Sequence, residues 1–394
     1  WPKTRSIFFP TNQDPTNILG TTDLYSENFH FFEDEKFSTS HDNTVATILA
    51  YDLLIIHLKR EIDKLENMTQ TQKIIIMGGG SWGAALTHQL RKNAALDCQI
   101  LVRSQQTAVN LAAGHIRQLP EVTGLDNFQV TDDESCLQTA DLIYLALPVS
   151  AHEESFKIIS AFAPADIPIV LCAKGLISDP HKGGLFLPEY ARTHLVSRPL
   201  AMLTGPSFAD EVLRDLPTAL LAASDTATLS AQIAAQFSAS SLRLYQGSDM
   251  IGAALGGAVK NVIAIAAGIC AGQGLGDNAR AGLITRGLAE TARLASQLGA
   301  ESHTISGLAG MGDLVLSCSG PHSRNMAFGF ALGSGKPVPT SLAEGRFSAS
   351  ILKERSKYES IELPICFAVD DIVNGGANIH TRISALLSRQ AMKE

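Results

Sequence analysis

Two isolated lysines, one aspartate and an Arg-Asn pair carry most of the reactive chemistry legible in this chain of 394 residues. Lys260 and Asn261 interrupt the apolar stretch Ile251 to Ile269, where Gly256 and Gly257 would let another group approach closely. A lysine among Gly, Ala, Val and Ile either extends its head to solvent or is held inside because its ammonium is needed. Lys174 follows a β-rich run in Ala173-Lys174-Gly175, and Gly205-Pro206-Ser207-Phe208-Ala209-Asp210-Glu211 follows another and opens a helix. Asp313, after Gly307-Leu-Ala-Gly-Met-Gly312, reads as a helix N-cap or as a site carboxylate. In Ser323-Arg324-Asn325, a guanidinium fork and an amide suit a phosphate, though a surface loop would have the same composition.

A second feature is a loop for a dinucleotide. Lys73-Ile-Ile-Ile-Met77 runs into Gly78-Gly79-Gly80-Ser81-Trp82-Gly83 and then into helical Ala84-Ala85-Leu86-Thr87. This is GxGxxG between a strand and a helix: Gly78 for the tight turn, Gly80 for approach of a pyrophosphate, Gly83 for packing of helix on strand. The next strand ends in Val102-Arg103-Ser104, without the acid that would accept the ribose hydroxyls of NAD. Arg103 can pair with a 2′-phosphate, stack on adenine or face solvent, so both NADPH and NADH are compatible cofactors. Lysines, a carboxylate and an anion grip beside a nicotinamide suit hydride transfer at a carbonyl that carries a phosphate.

The elements that must position these groups change in character along the chain. Strands are expected at Lys73–Met77, Cys98–Val102, Asp141–Leu147, Pro168–Cys172 and Leu200–Leu203, alternating with helices. That pattern predicts an α/β Rossmann domain with a mostly parallel sheet over residues 68–253. From Asp249 the sequence turns Ala/Gly/Leu-rich and helical, which predicts an all-α domain over 254–394. Residues 1–67 differ from both: 6 Lys/Arg against 11 Asp/Glu, six of the 16 Phe and one of the 32 Gly. Apart from the amphipathic spacing of Leu54, Leu58, Ile62 and Leu65, this segment is expected to be partly disordered. Met68 reads as the natural start, with the leader an appended, mistranslated or lineage-specific extension, or else a regulatory or oligomerisation segment.

Composition narrows the function classes. The net charge of −8 gives no general footprint for nucleic acid. Six scattered cysteines show no CxxC pair or zinc spacing, so no metal site is expected, and they read as buried thiols in a reducing compartment. The longest apolar region, Met250 to Gly272, carries Lys260 and Asn261 near its middle and reads as a core helix, not a membrane span. With no signal-like opening, the cytoplasm is the expected location.

Taken in order, Gly78-Gly-Gly-Ser-Trp-Gly83, Gly205-Pro-Ser-Phe-Ala209, Gly257-Ala-Val-Lys-Asn-Val262, Gly276-Asp-Asn-Ala-Arg280, Ile284-Thr-Arg-Gly-Leu-Ala-Glu290, Gly307-Leu-Ala-Gly-Met-Gly-Asp-Leu314 and Ser323-Arg-Asn325 closely resemble the NAD(P)-dependent glycerol-3-phosphate dehydrogenases of the bacterial cytosolic type. The resemblance runs from residue 73 to about 345, with patches beyond at Glu362-Leu-Pro-Ile-Cys366 and Ala385-Leu-Leu-Ser-Arg389. It implies substrate binding by the all-α domain over 254–394, interconversion of dihydroxyacetone phosphate and sn-glycerol 3-phosphate, a homodimer, and a supply of product to glycerophospholipid synthesis. It further implies catalysis by Lys260 with Lys174 and Asp313 as its partners. Asn261, Ser317, Ser323, Arg324 and Asn325 are similar in position to residues that bind the glycerol phosphate. Gly205 and Ser207 resemble positions at the nicotinamide and substrate edge. Ser81, Trp82, Arg103, Ala209, Glu344 and, through its guanidinium, Arg324 resemble cofactor contacts, with Lys174 at the boundary of both sites.

Overall fold

The computed structural model describes residues 71–388 except 126–127, 321 and 340–342. The expectations for residues 1–67, for Met68 and for Arg389 therefore lie outside the described residues. Met68–Glu394 forms one compact unit.

The first half alternates strand and helix. Strand β1 (Gln72–Met77) leads to helix α1 (Ser81–Leu90), then β2 (Leu96–Leu101), α2 (Gln105–Ala112), β3 (Val130–Thr131) and β4 (Leu142–Leu145). Helix α3 (His152–Phe162), β5 (Ile169–Leu171), the short pair β6 (Leu176–Ile177) and β7 (Leu185–Phe186), α4 (Leu187–His194) and β8 (Leu200–Thr204) follow. The half closes with α5 (Ala209–Leu213), β9 (Thr218–Ser224), α6 (Ala227–Gln236) and β10 (Leu242–Gly247). Eight strands make one sheet in the order β10-β9-β8-β5-β4-β1-β2-β3. Its pairings are parallel except that of β8 with β9.

All five expected strands form. Strands β3, β6, β7, β9 and β10 lie outside that expectation: in β9, Thr-Ala-Leu-Leu-Ala-Ala-Ser is as compatible with a helix as with a strand. Tertiary pairing decides, because Ala201–Thr204 of β8 offers β9 an antiparallel register. Both faces of the central strands are buried, so they read as continuous apolar runs. Ile75, Ile143 and Ile169 point to one face, and Ile74, Leu142 and Val170 to the other.

Beyond β10 every described element is a helix. These are α7 (Met250–Gly272), α8 (Gly276–Gln297), α9 (Ser302–Ser306), a π turn at Leu308–Gly312, α10 (Asp313–Cys318), α11 (Arg324–Gly333), α12 (Glu344–Tyr358), α13 (Pro364–Val373) and α14 (Ile379–Leu387). The expected division near residue 253 falls within α7, which runs unbroken from Met250. Length and composition alone would let α7 cross a membrane, but 94% of its most apolar window is buried inside the protein. It is the axle of the fold: one apolar cluster joins Ile75, Ile143 and Met202 of the sheet to Ala254, Val259 and Ile263 of α7. Helix α11 crosses α7 almost backbone to backbone. A Cβ on Gly268 would lie 2.2 Å from the Met326 carbonyl oxygen, and one on Gly329 2.1 Å from that of Ile265. That approach brings the start of α11 beside the middle of α7.

All six cysteines lack a disulfide partner, and five are buried as expected. Cys136 differs: it lies in a short turn at Glu134–Thr139 and is half-buried.

Candidate active site

Four segments distant in sequence converge on one carboxylate. Asp313 is 1% exposed at the start of α10, where the glycine-rich π turn delivers it. Its Oδ2 accepts from Lys174 Nζ at 2.6 Å and its Oδ1 from Lys260 Nζ at 2.5 Å. Lys174 Nζ also donates to the Gly205 carbonyl at 2.9 Å, and Lys260 Nζ to Ser317 Oγ at 2.9 Å. The two side chains keep only 17% and 12% of their surface exposed. Lys260 is thus neither a surface lysine nor an unpaired buried one. A lone ammonium here would cost several kcal/mol to desolvate, whereas a hydrogen-bonded carboxylate offsets much of that cost.

Each part has a local cause. Lys174 lies just past β5, and its stem crosses α7 at Gly257, where a Cβ would stand 3.0 Å from Lys174 Cγ. Gly256, one residue earlier, meets the π turn: a Cβ there would lie 2.5 Å from the Ala309 carbonyl oxygen. The two glycines therefore admit Lys174 and the Asp313 segment to the same side of the helix that carries Lys260. Ser317 follows Asp313 by one helical turn, so both face Lys260. That i,i+4 spacing was the signal by which Ser317 could have been read as a lysine partner instead of only a substrate contact. The role of the Gly205 carbonyl left no trace in residue type.

Charge here is unevenly held. Burial pushes the Lys260 ammonium below the ordinary lysine value of 10.5, Asp313 opposing the shift and Lys174 adding to it. Burial raises the carboxyl of Glu344, at the start of α12, although Arg324, Lys260 and Lys174 all pull it down. Glu344 therefore shares the field of the two lysines and of Arg324.

A second polar cluster lies one turn along. Asn325 Nδ2 donates to Asn261 Oδ1 at 2.9 Å, and the Gly345 amide donates to Asn325 Oδ1 at 3.0 Å. These bonds tie α7, α11 and α12 together and leave the side-chain N–H groups of Asn261 available as donors. Ser323 caps α11, its hydroxyl accepting from the Met326 amide at 3.3 Å. Arg324, the first residue of that helix, is exposed. A guanidinium at a ten-residue helix N-terminus is a cationic spot suited to a phosphate.

The glycine loop lies at the carboxyl end of β1, on the same edge of the sheet as Lys174 past β5, and strand order reverses between β1 and β4. Gly78 has φ +125°, and a Cβ on it would lie 2.5 Å from the Ala146 carbonyl oxygen. One on Gly83 would lie 1.9 Å from the Gly78 oxygen, whereas one on Gly80 would meet nothing within 4 Å. The loop is folded tightly on itself yet open at Gly80. Helix α1 starts there with no side-chain cap and no acid in its first turn, so its leading amides are suited to a pyrophosphate. Ser81, Trp82 and Gly83 form that turn, and Arg103 stands exposed just past β2. Ser207 donates weakly back to the Gly205 carbonyl at 3.3 Å, and Ala209 opens α5. Among the described residues no group of three or more His, Cys, Asp or Glu could hold a metal ion.

Residues 73–230 match the family model for the N-terminus of NAD-dependent glycerol-3-phosphate dehydrogenase, and residues 249–384 that for its C-terminus. A model described as RteC protein also matches residues 19–89, most of which lie outside the described residues. A glycerol-3-phosphate dehydrogenase (NAD(P)+) of Chelativorans sp. is 39% identical over 331 residues, 83% of this chain and 100% of that protein. The one from Agrobacterium fabrum is 37% identical over 329 residues, covering 82% and 100%. The crystal structure of glycerol-3-phosphate dehydrogenase from Coxiella burnetii is similar with a TM-score of 0.74 at 33% identity, covering 81% of this chain and 99% of that one.

Proposed function

The chain belongs to the NAD-dependent glycerol-3-phosphate dehydrogenase family, and from that premise we propose that it reduces dihydroxyacetone phosphate reversibly to sn-glycerol 3-phosphate with Lys260 as general acid and base. The bound dinucleotide, NADPH or NADH, supplies the hydride. In reduction Lys260 gives a proton from Nζ to the carbonyl oxygen as C2 becomes tetrahedral, and in oxidation it takes the hydroxyl proton back. Asp313 orients both lysines and favours the charged form of Lys260, and Lys174 adds a second positive charge near the oxygen that turns alkoxide-like. The observation that carries this reading is the Lys174–Asp313–Lys260 array, a proton donor held by a buried carboxylate on the sheet edge that also carries the glycine loop.

The remaining assignments follow the same reasoning. Arg324, Ser323 and the free amide of Asn261 hold the phosphate and hydroxyl end of the substrate, while Asn325 and Ser317 complete that wall. Gly205 and Ser207 form its edge toward the nicotinamide. Gly78, Gly80, Ser81, Trp82 and Gly83 hold the pyrophosphate, Arg103 the adenosine side, and Ala209, Lys174, Arg324 and Glu344 the rest of the cofactor. The cofactor-binding domain ends where α7 begins, at Met250, and the helices beyond bind substrate.

A rival reading, a hydroxy-acid dehydrogenase of the same plan, would need Ser323–Asn325 to grip a carboxylate where the segment suits a phosphate, and substrate preference decides between the two because a guanidinium can pair with either. Another rival, a protein that senses NADPH without turnover, would have no use for the buried proton donor. Family resemblance also supports a cytoplasmic homodimer whose product enters glycerophospholipid synthesis. The direct test is the loss of reduced-nicotinamide absorbance on mixing protein with dihydroxyacetone phosphate, with NADPH and NADH assayed separately. Turnover is expected with one or both. Cofactor binding without turnover on this substrate would overturn the proposal.

A further inference from the structure

We propose that His152 is a positioning residue for the cofactor crevice, holding in place the Leu147–Val149 segment that wedges the glycine loop apart from Lys174. The inference rests on the cofactor reading above. Chain leaving β4 is stitched to both neighbouring strands: the Ala146 amide donates to the Met77 carbonyl at 2.9 Å, and the Cys172 amide to that of Leu145 at 3.2 Å. The segment then leaves the sheet at the reversal of strand order and packs on both sides of the crevice. A Cβ on Gly78 would meet Leu147 Cδ2 at 3.1 Å, and one on Gly175, next to Lys174, would meet Val149 Cγ2 at 2.8 Å. Any drift of this segment therefore moves the pyrophosphate turn and the base of Lys174 together.

Pro148 sits at its apex and has no N–H, so only its carbonyl can anchor it. That oxygen receives the Ala151 amide at 2.9 Å and His152 Nδ1 at 3.0 Å. A carbonyl can only accept, which fixes the proton on Nδ1. The imidazole is 0% exposed, stands edge-on to Phe156 with centroids 5.7 Å apart, and leaves Nε2 buried without a partner. Burial lowers its pKa, so the ring stays neutral and keeps this tautomer. An aliphatic side chain would fill the same space without stranding a nitrogen, so packing alone does not account for a histidine here. The bond to Pro148 does.

The test compares His152→Leu, which removes the donor, with His152→Asn, whose amide nitrogen can take the place of Nδ1. Wild-type protein that binds NADPH and turns over dihydroxyacetone phosphate establishes the underlying reading first. His152→Leu is then expected to raise KM for NADPH about tenfold while kcat falls by less, and His152→Asn to restore KM to within about twofold of wild type. Equal KM in the leucine variant and wild type, or an asparagine variant as impaired as leucine, would overturn the proposal. If the leucine variant does not fold, His152→Met, equally without a donor but more adaptable in shape, takes its place in the comparison.

Discussion

Lys260 and Asp313 meet at 2.5 Å across 53 residues of sequence, with Lys174 closing on the other carboxylate oxygen at 2.6 Å. Two ammonium groups share one anion, so the array carries a net positive charge inside a site with little solvent. That surplus is what stabilises negative charge developing on a substrate oxygen. Burial, against the pull of Asp313, makes the proton on Lys260 easier to release than that of a surface lysine.

Lys260→Ala should abolish reduction of dihydroxyacetone phosphate, by at least about 10²-fold in kcat, and leave NADPH binding nearly unchanged. In the wild type only protonated Lys260 can reduce. Because burial lowers its pKa, the alkaline limb of the kcat profile should fall off below the ordinary lysine value of 10.5. Lys260→Arg, which stays charged, should keep a low residual rate without that limb. A wild-type limb at or above 10.5 would count against the assignment.

Asp313→Asn leaves two partly buried ammonium groups facing each other with no counter-charge. The expected outcome is a loss of both activity and stability, the latter by about 3 kcal/mol, read from denaturant unfolding. An active, equally stable variant would show that the lysines are held by something other than Asp313.

Neighbouring glycines of α7 should give opposite results. Gly256→Ala drives a methyl into the Ala309 carbonyl, which cannot retreat without moving the π turn, so melting temperature should drop. Gly257→Ala meets the root of the Lys174 side chain, Cγ at 3.0 Å and Cβ at 3.2 Å, so the lysine must shift slightly: helix propensity offsets that strain and stability should change by less than about 1 kcal/mol, while kcat falls. Thermal melts and kinetics on the two variants check the contrast.

Glu344 offers a test of electrostatics through stability. Its folded pKa is raised above the ordinary value of 4.5, so the native state binds this proton more tightly than the unfolded chain. Its ionisation therefore costs stability as pH rises from about 4.5 through the folded pKa, and the cost is absent below 4.5. Glu344→Gln should be more stable than wild type at neutral pH, and the difference should shrink on acidification. Melting curves across that range would reveal the opposite sign if the Arg324 attraction outweighed burial.

The family match begins at residue 73, and Met68–Glu394 forms one compact unit. A chain of residues 68–394 should therefore fold and keep its kcat for dihydroxyacetone phosphate. Loss of soluble, active protein on that truncation would assign residues 1–67 a structural part.

What sequence alone determined is whatever depends on residue type at short range. The glycine loop could be read because a turn, an open backbone and close helix packing each demand glycine at fixed spacing. Lys260 stood out because an ammonium is costly in an apolar helix, and the five central strands because burial on both faces makes them uniformly apolar. Tertiary structure decided what residue type leaves degenerate. Whether Thr218–Ser224 pairs as a strand depended on β8, and whether Asp313 capped a helix or bridged two lysines depended on how closely α7 allowed the π turn to approach. The Gly205 carbonyl, the bond of Asn325 to Asn261 and the anchoring of Pro148 by His152 involve backbone groups or generic side chains. Their partners are chosen by packing over distances at which a linear pattern carries no signal.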